Sequence, residues 1–219
     1  KSSLIKLIKF SIVLLYLFSI FLISVVFKKF NKNSKEITRK IIHIGIGPLI
    51  PIAQLLKIDQ ISALIFTGVV SLMVLINYGY KIFPTIEDVE RKSYGTLFYC
   101  LSLFILISLF WNKDPFSLIT GFFIMTFGDG LAGLIGKSFN SSSWIFLKQR
   151  KSLLGTVAMF ITSLIVVCTI GYIQQNSFYY SYFTIAFIAT ILEQFSVLGI
   201  DNFIVPISSA LCFNFFITN

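Results

Sequence analysis

The chain has 219 residues, 56% of them apolar and 12% charged, with a mean hydropathy of +0.88, a balance too apolar for a soluble domain. The bilayer is the expected solvent. Bare backbone groups are intolerable in hydrocarbon and the apolar runs are continuous rather than alternating, so the spans are predicted as helices and not barrel strands. The net charge of +9 sits in short loops between those runs, which argues against nucleic acid as a partner and for headgroups and topology.

The first run, residues 4–27, is too long for a cleaved signal and reads as an anchor, with Lys6 and Lys9 snorkelling to the interface. The few residues ahead of it leave no room for a transit peptide or a soluble head. Further windows fall at 41–56, 61–80, 95–111, 116–136, 153–173, 178–197 and 203–217. At ~20 residues per crossing this predicts an all-α, polytopic helical bundle of about seven to eight transmembrane helices. It forms one domain, 1–219, with an N-terminal helix and basic loop (1–38) and a motif-bearing core (39–219). Gly45, Gly47, Pro48 and Pro51 interrupt the second window and Pro206 the last, so kinked, broken or partly embedded helices are expected there.

Basic residues crowd alternate loops: Lys28, Lys29, Lys32, Lys35, Arg39 and Lys40 in the first, Lys81, Arg91 and Lys92 in the third, Lys137, Lys148, Arg150 and Lys151 in the fifth. The second and fourth hold only Lys57 and Lys113, and the sixth none. The odd loops are therefore expected to be cytoplasmic. Lys1, Lys6 and Lys9 conflict mildly with this unless the first segment re-enters. Cys100, Cys168 and Cys212 are far apart within apolar runs, as small core residues rather than metal ligands or disulfide partners.

Asp129, in Gly128-Asp129-Gly130, and Glu193 lie inside apolar windows. A carboxylate at mid-span costs ~3 kcal/mol, so each should face a bundle interior, a metal or a water-filled pocket. Asp129 is placed five to seven residues from the cytoplasmic end of its helix, ~10 Å below it. It shares a helical face with Gly133 and Gly136, and a neighbouring helix or a ligand could use that opening.

A near repeat, Arg91-Lys92-Ser93-Tyr94-Gly95-Thr96 and Arg150-Lys151-Ser152-Leu153-Leu154-Gly155-Thr156, opens two helices. Cations, a capping hydroxyl and free backbone N–H groups at the positive end of a helix dipole suit phosphate; an inside boundary followed by an ordinary serine cap is the plainer reading. Asp201, in the short seventh loop with Asn202, either caps the last helix or joins Asp129 or Glu193 in holding Mg²⁺ through oxygen ligands. His43, the only histidine, follows Arg39 and Lys40 by about one turn and is an interfacial hydrogen-bonding residue or a catalyst. All these groups lie at one face, and the opposite face has almost none, unlike a transporter's polar route across the bilayer.

Together Arg39-Lys40-Ile41-Ile42-His43, the two basic-Ser-Gly elements, Gly128-Asp129-Gly130-Leu131-Ala132, Glu193 and Asp201-Asn202 resemble the polyprenol kinase family, most closely the phytol kinases, from about Arg39 to Pro206. The resemblance implies an integral protein of a plasma or thylakoid membrane, with its active site at the cytoplasmic face, that phosphorylates phytol from CTP or UTP in isoprenoid salvage toward tocopherol. On that expectation Asp129 and Asp201 hold Mg²⁺, and Asp129, Glu193, Asp201 and His43 form the catalytic set. Arg39, Lys40, Arg91, Lys92, Ser93, Gly95, Thr96, Gly128, Gly130, Lys137, Arg150, Lys151, Ser152, Gly155, Thr156 and Asn202 bind the nucleotide. Dolichol, farnesol or diacylglycerol are alternative acceptors. A CDP-diacylglycerol synthase is a second reading, weakened because no proline-glycine-histidine-rich stretch lies near the end of the chain. A transporter is the non-enzymatic third.

Overall fold

The computed structural model describes residues 2–30, 35–80, 94–147, 149–175, 177 and 179–218. Arg91, Lys92 and Ser93, the core of the first basic-Ser-Gly element, lie outside them. The helices are α1 (Ser2–Phe30), α2 (Lys35–Gly45), α3 (Leu49–Leu55), α4 (Gln60–Tyr80), α5 (Gly95–Phe110) and α6 (Pro115–Phe123). A wide π-type segment, Ile124–Asp129, leads into α7 (Gly130–Ser138). After the strands β1 (Ser143–Phe146) and β2 (Gln149–Ser152) come α8 (Leu153–Gln175), α9 (Ser181–Phe195) and α10 (Asp201–Phe213), closed by a second π-type turn, Asn214–Thr218.

The helical bundle is borne out. Five stretches among the described residues are long and apolar enough to cross a bilayer: Leu4–Lys29, Gln60–Tyr80, Pro115–Ser138, Leu153–Gln175 and Asp201–Thr218. The helices α5 and α9 are apolar but shorter. The apolar outer face of α1, exposed at Leu7, Leu15 and Ile23, suits lipid and would aggregate in water. The start of α1 reaches the α3–α4 turn, with Lys9 Nζ 3.2 Å from Lys57 O and Lys6 4.0 Å from Asp59. Its basic end, Lys28 and Lys29, precedes α2.

The second window is two helices, not one. Pro48 offers no N–H to continue α2, the Gly47 N–H closes back on Ile44 O at 3.0 Å, and the chain restarts as α3. The strands are a departure from a wholly helical chain. They form a short antiparallel hairpin with Trp144 opposite Lys151, fastened to the end of α9 by the edge-to-face rings of Phe146 and Phe195, 5.3 Å apart.

The core is built where α6 and α10 meet, with Leu118, Phe122 and Phe213 fully buried. Gly121 makes the approach possible: a Cβ there would collide with Pro206 O and lie 2.8 Å from Ala210 Cβ. The face away from the basic loops is not empty, as composition suggested. Asp114, 5% exposed, caps α6 through the Ser117 N–H at 3.2 Å and Ser117 Oγ, and accepts from Asn214 Nδ2 and Thr218 Oγ1, each at 2.9 Å. It ties the start of α6 to the chain end.

Burial pushes the Asp114 carboxyl up, but the hydrogen bonds outweigh it and hold it below its ordinary value. A depressed folded value stabilises above the unfolded one and is lost as pH falls through the folded one. Asp114→Asn is therefore expected to cost about 1–3 kcal/mol near neutrality, with the gap to the parent protein narrowing below the usual carboxylate range; thermal unfolding in detergent against pH checks both.

Candidate active site

The wide turn at Ile124–Asp129 ends on the half-buried carboxylate of Asp129. Extra residues per turn rotate the helix face, so Gly128 meets Met159 of α8, where an added Cβ would lie 2.9 Å from Sδ, while Asp129 faces α2. On α2, Lys40 and His43 are three residues apart and share one face. Lys40 Nζ donates to Asp129 Oδ2 at 2.7 Å and to Asp129 O at 2.9 Å. His43 Nε2 lies 3.0 Å from Met125 O and 3.3 Å from Asp129 Oδ2. A carbonyl oxygen can only accept, so Nε2 carries the proton and donates to Met125 O, with the Asp129 carboxylate close beside it. Asp129 stands nine residues before the end of α7, somewhat deeper than the sequence placed it.

Two more carboxylates arrive from the other side. Glu193, near the end of α9, pairs with Lys151 of β2, whose Nζ also donates to Glu193 O at 2.7 Å, and Gln194 Nε2 donates to Glu193 Oε2 at 2.7 Å. Between α9 and α10 the chain turns through Leu198 at φ 56° and Gly199 at φ 85°, a left-handed pair that glycine adopts freely and leucine at a cost of about 1 kcal/mol. That tight reversal brings Asp201 back beside Glu193. One oxygen from each of Asp129, Glu193 and Asp201 lies within 4.8 Å of the others. Asp201 is the least committed: among the described residues it forms no salt bridge, and its Oδ1 accepts from the Asn202 N–H at 2.9 Å.

An oxygen-only donor set fits a hard divalent cation. Oxygen ligands of an ion with ~2.1 Å bonds stand ~3 to ~4.2 Å apart, so the three oxygens would draw together to share one. Three carboxylates against Lys40 and Lys151 leave one formal negative charge for such an ion to neutralise.

Beside the cluster, a cavity of about 60 Å³ lies between α2, α5 and the start of α10. Arg39, His43, Thr96 and Asn202 form its polar part, and Ile42, Ile46 and Tyr99 the rest. The Tyr99 ring meets His43 edge-on at 4.9 Å, and its hydroxyl donates to His43 O at 3.3 Å. The other expected residues are placed differently. Ser152 Oγ caps Gly155 N–H at 3.2 Å, as read from the sequence, and Thr156 Oγ1 donates to Ser152 O at 3.0 Å. Gly130 packs on Ile44, and Gly155 abuts Ala132 O and Gly136, so the small residues of α7 admit helices and the Lys40 stem rather than an open ligand groove. Lys137 and Arg150 are exposed on the hairpin side, Arg150 Nε donating to Ser143 Oγ at 3.2 Å.

Comparison with known proteins decides the family. The chain is 34% identical over 203 residues to the phytol kinase of Synechocystis sp., covering 90% of this chain and 86% of that one. The chain belongs to the phytol kinase family. It is also 28% identical to phytol kinase 1, chloroplastic, of Arabidopsis thaliana, over 84% of this chain and 67% of that protein. The probable phytol kinase 2, chloroplastic, of Glycine max is likewise 28% identical, with 81% and 64% covered. No protein-family model matches, and no solved structure matches significantly.

For this phytol kinase family member, sequence reasoning brought the three carboxylates and His43 to one face but missed their partners. Lys40 and Lys151 read as phosphate ligands, yet both are engaged with carboxylates. Tyr99 carried a legible signal, an aromatic hydroxyl one turn below Gly95 and Thr96 in an apolar run. Removing one member of a buried pair leaves the other charge uncompensated. Lys40→Met is therefore expected to lower stability by about 3 kcal/mol, and Lys40→Met with Asp129→Asn to recover most of it; thermal unfolding of both variants in detergent checks the coupling.

Proposed function

We propose that the chain transfers the γ-phosphoryl group of CTP, with UTP as a second donor, to the hydroxyl of phytol, giving phytyl phosphate. Membership of the phytol kinase family makes it a phosphotransferase with an alcohol acceptor. The observation that carries the site assignment is the meeting of Asp129, Glu193 and Asp201 within 4.8 Å, flanked by Lys40 of α2 and Lys151 of β2.

In this reading the hydroxyl oxygen of phytol bonds to the γ-phosphorus, the bond from that phosphorus to the bridging β–γ oxygen breaks, and CDP leaves with that oxygen. The hydroxyl proton passes to Asp201, whose carboxylate has no lysine bound to it among the described residues. Asp129 and Asp201, with Glu193 beside them, would hold Mg²⁺, which when bound neutralises phosphate charge. Phosphoryl transfer asks the protein mainly for positioning and charge stabilisation. Lys40 and Lys151 supply cations at the site, and Lys137 and Arg150 the wider positive field. Buried packing around Asp129 keeps bulk water from competing for the phosphoryl group. The site faces the cytoplasm, by the positive-inside bias of the loops that border it.

Asp129→Asn and Asp201→Asn are expected to reduce turnover by at least ~10²-fold while each variant remains folded and inserted. The assay gives purified protein labelled CTP, UTP or ATP with phytol, farnesol, dolichol and diacylglycerol, and resolves the lipids. CDP with phytyl phosphate supports the reading. Pyrophosphate with a CDP-lipid formed from phosphatidate would replace it with a cytidylyltransferase.

A further inference from the structure

We infer that the cavity between α2, α5 and the start of α10 is the subsite for the hydroxyl end of the acceptor, with Asn202 Oδ1 as the group that receives the hydroxyl hydrogen bond on binding, before the proton turns to the neighbouring Asp201, and Arg39 as the cation awaiting the product phosphate. This rests on the kinase reading but divides the site differently from the sequence, which assigned Arg39, Gly95, Thr96 and Asn202 to the nucleotide.

The first observation is an unanswered acceptor. Asn202 is 3% exposed, and its Nδ2 donates to Gly95 O at 3.0 Å, which fixes the amide so that Oδ1 is the free end. Among the described residues nothing donates to that oxygen. A buried amide oxygen without a donor costs about 1–3 kcal/mol, and it lines the cavity. The missing partner must therefore be a donor, and a hydroxyl is one.

The second observation is the cavity's composition. Ile42, Ile46 and, from α5, the Tyr99 ring continue from its polar part along α2 and the turn that follows it, seven residues from Arg39 to Ile46, or ~10 Å at helical rise. An amphipathic lining of that kind suits an alcohol with a hydrocarbon tail. A nucleoside triphosphate requires several cations, yet among the described residues Arg39 is the one permanently charged lining residue, and none of the described residues of β2, α7 or α8 contributes to the lining. About 60 Å³ holds a few water-sized groups, enough for a hydroxyl and the first carbons of a prenol.

The third observation is position. His43 lines the cavity and touches Asp129, and Asn202 follows Asp201 directly in the chain. A hydroxyl bound at Asn202 is thus beside the carboxylates. Arg39 Nε is buried without a hydrogen-bond partner among the described residues, leaving an N–H for the phosphate that the alcohol acquires.

The test uses the full chain in detergent and a diazirine-bearing C20 prenol without nucleotide, with labelled residues mapped by mass spectrometry. Labelling of Ile42, Ile46 or Tyr99 that phytol suppresses and CTP does not is the expected result. Labelling elsewhere, or suppression by CTP alone, overturns the assignment. In turnover, Asn202→Leu and the cavity-filling Ile46→Trp should each raise the KM for phytol roughly tenfold, as loss of one hydrogen bond or of the space does, and leave the KM for CTP within about twofold. A rise in the nucleotide KM instead gives the cavity to the donor. Labelling needs no chemistry, so a chain that labels as expected but phosphorylates no alcohol refutes the kinase reading and leaves the acceptor subsite standing.

Discussion

The structure depends on bringing three carboxylates together inside an apolar bundle. Each charge removed from water costs several kcal/mol unless it is paired and hydrogen-bonded. The chain meets this with two lysines delivered from separate elements, Lys40 from α2 and Lys151 from β2. Neither pair is local in sequence, so the salt bridges also lock the N-terminal part of the core to α7 and the hairpin to α9. The same fixed charges that stabilise the ligand-free cluster are the ones a phosphate and a metal would rearrange, which makes the site a compromise between stability and reactivity.

Every approach to the cluster coincides with a break in regular structure. Helix α2 stops at Gly45 before Pro48, the helix bearing Asp129 widens to a π-type turn, α9 and α10 are joined through Leu198 and Gly199, and β2 runs directly into α8. Uninterrupted helices would carry these side chains past one another. Irregular backbone at membrane depth is tolerated where protein rather than lipid surrounds it. The cap at Asp114 performs a separate task on the opposite face, holding α6 against the chain end so that the bundle does not open from below.

Much of this was legible in the sequence because hydrocarbon imposes a simple rule, that an ionisable residue in an apolar run needs a reason. Asp129 and Glu193 announced themselves that way, and the glycine and proline cluster at 45–51 announced the broken helix. What the sequence did not disclose is pairing. Lys40 looks like any basic residue at an inside boundary until the fold turns it onto Asp129, and Gly128 and Gly155 look like phosphate-loop glycines until a neighbouring helix occupies them. The hairpin escaped notice because its strands are only four residues each, and their polar, basic character reads as loop. Asn202 reads from the sequence as a nucleotide ligand, since an unanswered amide oxygen is a property of packing and not of composition.

The central claim is that the carboxylates of Asp129, Glu193 and Asp201 form one cation site at which the donor phosphates meet the acceptor. The most direct measurement is an experimental structure of the protein with Mn²⁺ and a non-hydrolysable CTP analogue, the ion located by anomalous scattering. The account predicts one Mn²⁺ at bonding distance from Asp129 and Asp201 and in contact with the nucleotide phosphates. Manganese bound elsewhere, with Lys40 and Lys151 still closed on Asp129 and Glu193, would contradict it.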